Sequence, residues 1–197
     1  MMKENNLTDT SLDNFNDLVL EHQAAIYNHA CWMLGDPDEA EDITQEVFIT
    51  AYHRFDTCRS ASIRAWLLRI ATTRCIDALR RRKRRPSLPL EIEDEEGEVI
   101  ESTWWMKDQR ISPEQQVEQS QSISAVQQQL QSMPLDIRAA LIMIDVMEMN
   151  YEETAAALNI PIGTLKSRVS RGRTRLLNGM QTAERRTVRP AYQFSMA

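Results

Sequence analysis

The sequence lacks long apolar runs and paired cysteines, and each absence excludes a class of protein. No apolar run approaches the roughly 18–20 residues needed to cross a bilayer, and the polar residues 1–14 contain no signal-peptide core. We therefore expect a cytoplasmic protein without membrane insertion. The three cysteines, Cys31, Cys58 and Cys75, form no CxxC pair and no zinc-binding spacing with a histidine, so we expect reduced and mostly packed thiols.

Glycine and runs of β-branched residues are also scarce, whereas good helix formers are common. Only five glycines occur in 197 residues, and Ala, Leu, Gln, Glu, Arg and Met are frequent, which favours helix throughout. The predicted fold class is all-α, with enough sequence for two small helical domains. No Ser/His/Asp constellation, metal-ligand spacing or glycine-rich phosphate loop is present, so we predict neither enzymatic activity nor a cofactor.

Charge is distributed unevenly along the chain. The net charge of −6 is unfavourable for DNA binding, which comes largely from Lys and Arg displacing counterions. Residues 54–85, however, contain eleven basic and two acidic residues, a net charge of +9. Residues 91–101 contain seven acids and no base, a net charge of −7, and residues 164–186 have Glu184 as their only acid. Both expected domains therefore end in a basic segment.

The acidic stretch marks the boundary between the two domains. Pro86 and Pro89 precede it and Gly97 lies within it, and proline with dense like charge opposes helix packing, so residues 86–111 are predicted to be a linker. The linker is either an inert tether or a segment that binds elsewhere, and its Trp104 and Trp105 leave both possibilities open. The resulting division is 11–85 for the first domain, 86–111 for the linker, 112–180 for the second domain and 181–197 for a C-terminal tail.

Three helices are predicted in the first domain. Ser11 is placed to cap the first helix, which Gly35 can end. Residues 36–39, Asp-Pro-Asp-Glu, form a capping box that opens a second helix to about Phe55. After a polar break, a third helix carries Trp66 toward the core, on the face that Ile63 and Ile70 share, and then continues into the basic run.

The second domain is predicted to contain four helices, of which the last two form a helix-turn-helix. Its first helix begins at Ser112-Pro113 and ends near Gln131, and its second runs from about Leu135 to Met147. Residues 150–153, Asn-Tyr-Glu-Glu, cap a short third helix, and Pro161 begins a last helix to about Leu177.

One face of that last helix can enter a DNA major groove, where arginine binds guanine edges and Ser or Lys binds phosphates. Leu165 and Val169 lie four residues apart and define the opposite, buried face. The plainer alternative is a solvated basic face on a structural hairpin. The candidate DNA-binding residues are Thr164, Lys166, Ser167, Arg168, Arg171 and Arg175.

These segments resemble one family, the extracytoplasmic-function sigma factors, which are group 4 of the sigma-70 family. Residues 133–138, 150–155 and 162–173 are similar to the family's region 4. Residues 36–48 are similar to region 2.2, and 65–71 with 77–81 to regions 2.3 and 2.4. The resemblance extends over about 15–82 and 112–178, in the family's order.

The resemblance implies a protein that binds core RNA polymerase and the −10 and −35 elements of promoter DNA. The face of the last helix described above would contact the −35 element. In the family, regions 2.3 and 2.4 capture a flipped base of the −10 element; the matching positions are Arg59, Arg64, Thr72, Thr73, Arg74, Arg80 and Arg81. Region 2.2 docks on the clamp helices of the polymerase; the matching positions are Asp42, Gln45 and Glu46.

Other functions remain as alternatives. A helix-turn-helix activator would need a sensor, and the N-terminal half shows no ligand-pocket or receiver pattern. A sigma-like interaction adaptor would not need the basic residues on both DNA faces. A third alternative is that residues 80–85 form a nuclear localisation signal. Many members of the family are inhibited by an anti-sigma factor, a further expected partner, although no residue set identifies one here.

The opposed charges of the linker and the basic helix generate a first prediction. The tethered acids, at high effective concentration beside residues 54–85, should screen the DNA-binding face of the free protein. Replacing Glu93, Asp94, Glu95, Glu96 and Glu98 by their amides should raise DNA affinity at low salt, with a smaller gain at high salt. Mobility-shift titrations at two salt concentrations measure this effect. No gain at either concentration would make the linker a plain tether.

Overall fold

All regular structure in the described residues is helical, which confirms the predicted fold class. The computed structural model describes residues 5–55, 62–84 and 113–187, with side chains for 15–55, 62–84 and 122–181. The linker at 86–111, Arg59, Cys58, Trp104 and Trp105 lie outside these ranges. The helices are α1 (Asn5–Leu34), α2 (Pro37–Arg54), α3 (Ile63–Arg84), α4 (Pro113–Gln131), α5 (Leu135–Leu141), a π-helical segment (Ile142–Val146), α6 (Tyr151–Leu158) and α7 (Ile162–Thr187).

The junction between α1 and α2 forms as the sequence predicts. Gly35 ends α1 in the left-handed region, at φ +73°, and its amide donates to the carbonyl of Cys31. The Asp36 side chain then accepts from the amides of Asp38 and Glu39, at 3.1 and 3.0 Å. The expected cap at Ser11 is wrong, because α1 begins at Asn5 and Ser11 lies inside it. A serine costs well under 1 kcal/mol in a helix, so it does not by itself start one.

Helices α1, α2 and α3 enclose the first part of the core. Its fully buried side chains include Ile26, Met33, Val47, Leu67 and Leu68. Trp66 packs against this core and is partly buried, but Ile63, expected on the same buried face, is 39% exposed. The cysteines described here, Cys31 and Cys75, are buried and free, as predicted. Burial raises the pKa of the Cys75 thiol to about 12, so it stays protonated.

The second domain contains the predicted helix-turn-helix. The Asn150 side chain accepts from the amide of Glu153 at 2.7 Å and so caps α6, and Asn159 ends α6 at φ +53°. Leu165 and Val169 of α7 are buried. Gly172 allows α7 to lie against α5, since a β-carbon there would be 3.2 Å from Ile137 Cγ2.

Two helix boundaries in this domain differ from the prediction. The single helix expected from Leu135 to Met147 changes at Ile142 into a π-helical segment, in which the Met147 amide donates to the Ile142 carbonyl. This change places Met143 in the core and Asp145 at the surface. Helix α7 continues to Thr187, past the predicted end near Leu177. None of the described helices combines the length and the apolar character that crossing a membrane requires.

The two domains contact each other directly. The end of α1 meets α4, and α3 meets α6, so that one continuous core runs through both domains. His29 of α1 lies at this contact, fully buried, with its Nε2 2.9 Å from the Thr72 hydroxyl. The Thr72 hydroxyl has one proton, which it donates to the Leu68 carbonyl at 2.7 Å, so it accepts from His29 Nε2. Nδ1 of His29 then has no hydrogen-bond partner among the described residues.

Protonated His29 would bury a charge whose second N–H has no acceptor, which explains why burial lowers its pKa to about 4 from an ordinary 6.5. The unfolded chain therefore takes up a proton near pH 6.5 and the folded chain only near pH 4. Stability is lost as pH falls through this window, by about 2 kcal/mol at pH 5. We predict that His29→Gln reduces the difference in urea-unfolding free energy between pH 7.5 and 5, and that His53→Gln, at an exposed histidine, does not. An unchanged difference in His29→Gln would contradict this account.

Candidate nucleic-acid interface

The exposed face of α7 carries the basic side chains predicted to contact DNA. Lys166, Ser167, Arg171 and Arg175 are exposed and Thr164 is partly exposed, whereas Leu165, Val169 and Gly172 are buried behind them. Arg171 Nε donates to the Ser167 carbonyl of the same helix at 3.2 Å. The helix thus presents cations on one side and packing residues on the other, as a recognition helix requires.

Two arginines of α7 are held by acids of the preceding segment. Arg168 Nε lies 3.2 Å from Asp136 of α5, and the Arg168 side chain is only 22% exposed. Arg173 Nε donates to Asp145 at 3.0 Å, and its second contact to the same carboxylate raises the pKa of the guanidinium further. The pairs fasten α7 to α5 and to the π-helical segment. Arg168 was predicted to bind DNA, and here its guanidinium is shared with Asp136.

Some of the residues predicted to bind DNA on the basic helix α3 are exposed, and others are bound to neighbouring groups of the protein. Thr73, Arg80 and Arg81 are exposed. Arg74 donates to the Thr50 hydroxyl at 2.9 Å and lies 3.7 Å from the Glu46 carboxylate. Arg64 donates to the Met147 carbonyl of the second domain at 2.7 Å, and Thr72 is only 3% exposed. In this arrangement Thr72 cannot reach a nucleic acid.

The predicted polymerase-binding residues share the outer face of α2. Asp42, Gln45 and Glu46 are exposed, and the buried Ala40, Ile43, Val47 and Ala51 lie on the opposite face. Glu46 is partly neutralised by Arg74, a contact that links the α2 face to α3.

The sequence analysis missed the residues that join the domains. Arg138, Gln127 and Gln131 donate to carbonyls at the end of α1. The sequence contains one indication of this contact, because Gln127 and Gln131 lie four residues apart and therefore on the same helix face. No cluster of three or more His, Cys, Asp or Glu side chains able to hold a metal occurs in the described ranges.

The fold and these faces define a two-domain, helix-turn-helix DNA-binding protein, and comparison with known proteins gives its family. The Sigma-70 region 2 family model matches residues 18–85, and the Sigma-70 region 4 model matches residues 123–176. The chain is 36% identical to the ECF RNA polymerase sigma factor SigW of Bacillus subtilis, over 83% of this chain and 87% of that protein. It is 31% identical to the sigma-E factor of Escherichia coli, over 87% of this chain and 89% of that protein.

A third relative is longer than this chain, which covers 61% of SigE from Mycolicibacterium smegmatis at 31% identity. Among solved structures, the chain resembles RpoE of Bartonella quintana in complex with the anti-sigma factor NepR, with a TM-score of 0.63 and 30% identity over 85% of this chain and 97% of that one. CnrH, solved with the cytosolic domain of CnrY, shares the fold, with a TM-score of 0.59 and 20% identity over 85% of this chain and 88% of that one.

The chain belongs to the extracytoplasmic-function RNA polymerase sigma factors, as the resemblance in its sequence implies. Its function is that of a sigma factor, which binds core RNA polymerase and directs the initiation of transcription at promoters.

Proposed function

We propose a division of this sigma factor's surface into three binding faces. The outer face of α7 binds the −35 element, α3 binds the −10 element, and the outer face of α2 docks on core polymerase. The observation that carries the proposal is the acid-free, exposed face of α7. Leu165 and Val169 are buried on the opposite side, and Arg173 donates to Asp145 of the π-helical segment. Run-off transcription with purified core polymerase tests the whole assignment.

We further propose that the protein works by binding alone, without chemistry of its own, and that it acts in the cytoplasm, where its polymerase is. An anti-sigma factor is a proposed partner, supported by the complex of the Bartonella quintana relative with NepR. Run-off transcription separates these proposals from the alternatives. A helix-turn-helix activator would need another sigma factor for a specific transcript, and a sigma-like adaptor would give none.

The −35 assignment predicts unequal effects for the arginines of α7. Arg171→Ala and Arg168→Ala should each weaken −35 binding by about 1–3 kcal/mol, the value of an arginine–guanine pair. Core binding should not change. Arg69→Ala is the matched control, because this exposed arginine of α3 belongs to none of the predicted DNA-binding sets. Binding curves with −35 duplexes measure the effect, and wild-type affinity in Arg168→Ala and Arg171→Ala would remove both from recognition.

The pairing of Arg168 with Asp136 adds a second variant to that experiment. Asp136→Asn breaks the ion pair but keeps the arginine. If Arg168 contacts DNA, Asp136→Asn should bind the −35 duplex at least as well as wild type, while Arg168→Ala binds it less well. Equal losses in the two variants would mean that Arg168 only positions α7.

The α2 assignment predicts a salt-dependent contact with polymerase. Asp42→Lys and Glu46→Lys should lower core affinity, most strongly at low salt, because each places a cation where the polymerase is expected to be basic. Asp42→Lys is the cleaner variant, since Glu46 also pairs with Arg74. Glu152→Lys, at an exposed position of α6, is the control with the same change of net charge. Wild-type capture of core polymerase by both α2 variants would show that the face is misassigned.

A further inference from the structure

Gly163 of α7 is a glycine that the described part of the protein does not require. The other glycines within the described ranges are explained by their backbone or their contacts. Gly35 lies at φ +73°, where a side chain would be strained. A β-carbon at Gly172 would be 3.2 Å from a side chain of α5, and one at Gly179 would clash with the Gln129 side chain. At Gly163, by contrast, a β-carbon would meet nothing within 4 Å.

The backbone at Gly163 also permits a side chain. Within the described ranges Gly35 is the only glycine with a positive φ, so Gly163 has a backbone that any residue can adopt. The amide of Leu165 donates to the Pro161 carbonyl at 3.1 Å, which places Gly163 inside the first turn of α7. Alanine suits a helix better than glycine, because glycine loses more conformational freedom on folding. The reason for this glycine therefore lies outside the described residues.

The position of Gly163 on α7 indicates where that reason lies. Lys166 and Ser167 follow it by three and four residues, and Ser170 and Arg171 follow it by seven and eight. These spacings place residues on one side of a helix. All five residues are exposed, and the buried residues of α7 occupy the opposite side. Gly163 is therefore the first residue of the exposed face that we assign to the −35 element.

The charge of this face favours a polyanion. Arg168 and Arg173 are bound by acids of the preceding segment, whereas Lys166 and Arg171 extend from the exposed face. Cations in this arrangement attract DNA by displacing its counterions. A ligand that contacts Lys166 and Ser167 passes beside Gly163, one helical turn away.

A recognition helix fits the major groove with little space to spare. The groove of B-form DNA is about 12 Å wide and about 8.5 Å deep, and an α-helix with its side chains is about 10–12 Å across. The N-terminal residues of such a helix are the ones that contact base edges. A glycine at that end lets the helix backbone approach its ligand closely.

We propose that Gly163 is a positioning residue of the −35 interface. Because it has no side chain, the first turn of α7 enters the major groove far enough for Lys166, Ser167 and Arg171 to reach base edges and phosphates. The inference rests on the proposed assignment of α7 to the −35 element. A side chain at residue 163 would be harmless in the free protein and would collide with the groove in the complex.

Gly163→Ala separates these two effects, because alanine should improve the fold and impair DNA binding. The melting temperature of the free variant should rise by about 1–4 °C, since alanine restricts the unfolded chain and suits the helix. Capture of core polymerase should not change. The probe is a duplex with the −35 half of a promoter that wild-type holoenzyme transcribes. Holoenzyme with Gly163→Ala should bind it about fivefold or more weakly, since overfilling a close-packed contact is costly.

Gln128→Ala is the matched control, since it places a better helix former at an exposed position of α4 and adds no atom to α7. Its holoenzyme should bind the duplex with wild-type affinity. Missing-nucleoside interference then locates the collision, because a gap removes the base and sugar that a methyl group at residue 163 would strike. Compared with wild type, Gly163→Ala should retain DNA enriched in gaps at one or two adjacent positions of the −35 element.

Three results would overturn the inference. A lower melting temperature in Gly163→Ala would show that the fold itself requires the glycine. Wild-type affinity for the duplex would show that DNA does not approach this residue closely. A loss of affinity that no gap relieves would show that alanine acts by a route other than collision with the groove.

Failure of the proposed function would be visible separately in Arg171→Ala. If that variant binds the duplex with wild-type affinity, the assignment of α7 to the −35 element fails. If Arg171→Ala binds weakly and Gly163→Ala binds as wild type does, the assignment stands and only the role of Gly163 is overturned.

Discussion

The arrangement of the two domains depends on the unpaired carbonyls at the end of α1. A buried helix end needs hydrogen-bond donors, and here Gln127, Gln131 and Arg138 of the other domain supply them. Gly35 makes room for these donors and also turns the chain into the Asp36 cap of α2. The same few residues therefore end one helix, begin the next and contact the second domain.

Local features of the fold could be predicted from the sequence, and long-range ones could not. The caps at Asp36 and Asn150 depend on residues within three positions, so the local sequence was sufficient to predict them. Ser11 failed as a cap, because the sequence pattern does not reveal whether the residues before it continue the helix. The π-helical segment was not predicted; it contacts Arg64 and Thr72 of the first domain, through the Met147 carbonyl and the Met143 sulfur, and such contacts are distant in sequence. The predicted binding residues mostly lie at the surface, but the burial of Thr72 requires knowledge of the neighbouring domain.

The arginines of α7 also show that long-range contacts could not be predicted from the sequence. All of them fit the basic pattern of a recognition helix, and composition alone does not separate them. The structure does, because Arg173 is bound by Asp145 and Arg168 by Asp136, while Arg171 and Arg175 extend from the exposed face. Acids of α5 and of the π-helical segment bind two of the cations, and the others remain on the exposed face. A basic residue in such a helix can therefore contact a neighbouring helix as well as bind DNA.

The contacts that join the two domains respond to salt differently from contacts with DNA. Gln127 and Gln131 contribute amide-to-carbonyl bonds and Arg138 binds a carbonyl, with no pair of opposite full charges among these three residues. Such contacts respond weakly to dissolved ions, whereas attraction to DNA phosphates falls steeply as ionic strength rises. At high ionic strength the contact between the domains is therefore expected to keep its strength, whereas attraction to DNA weakens.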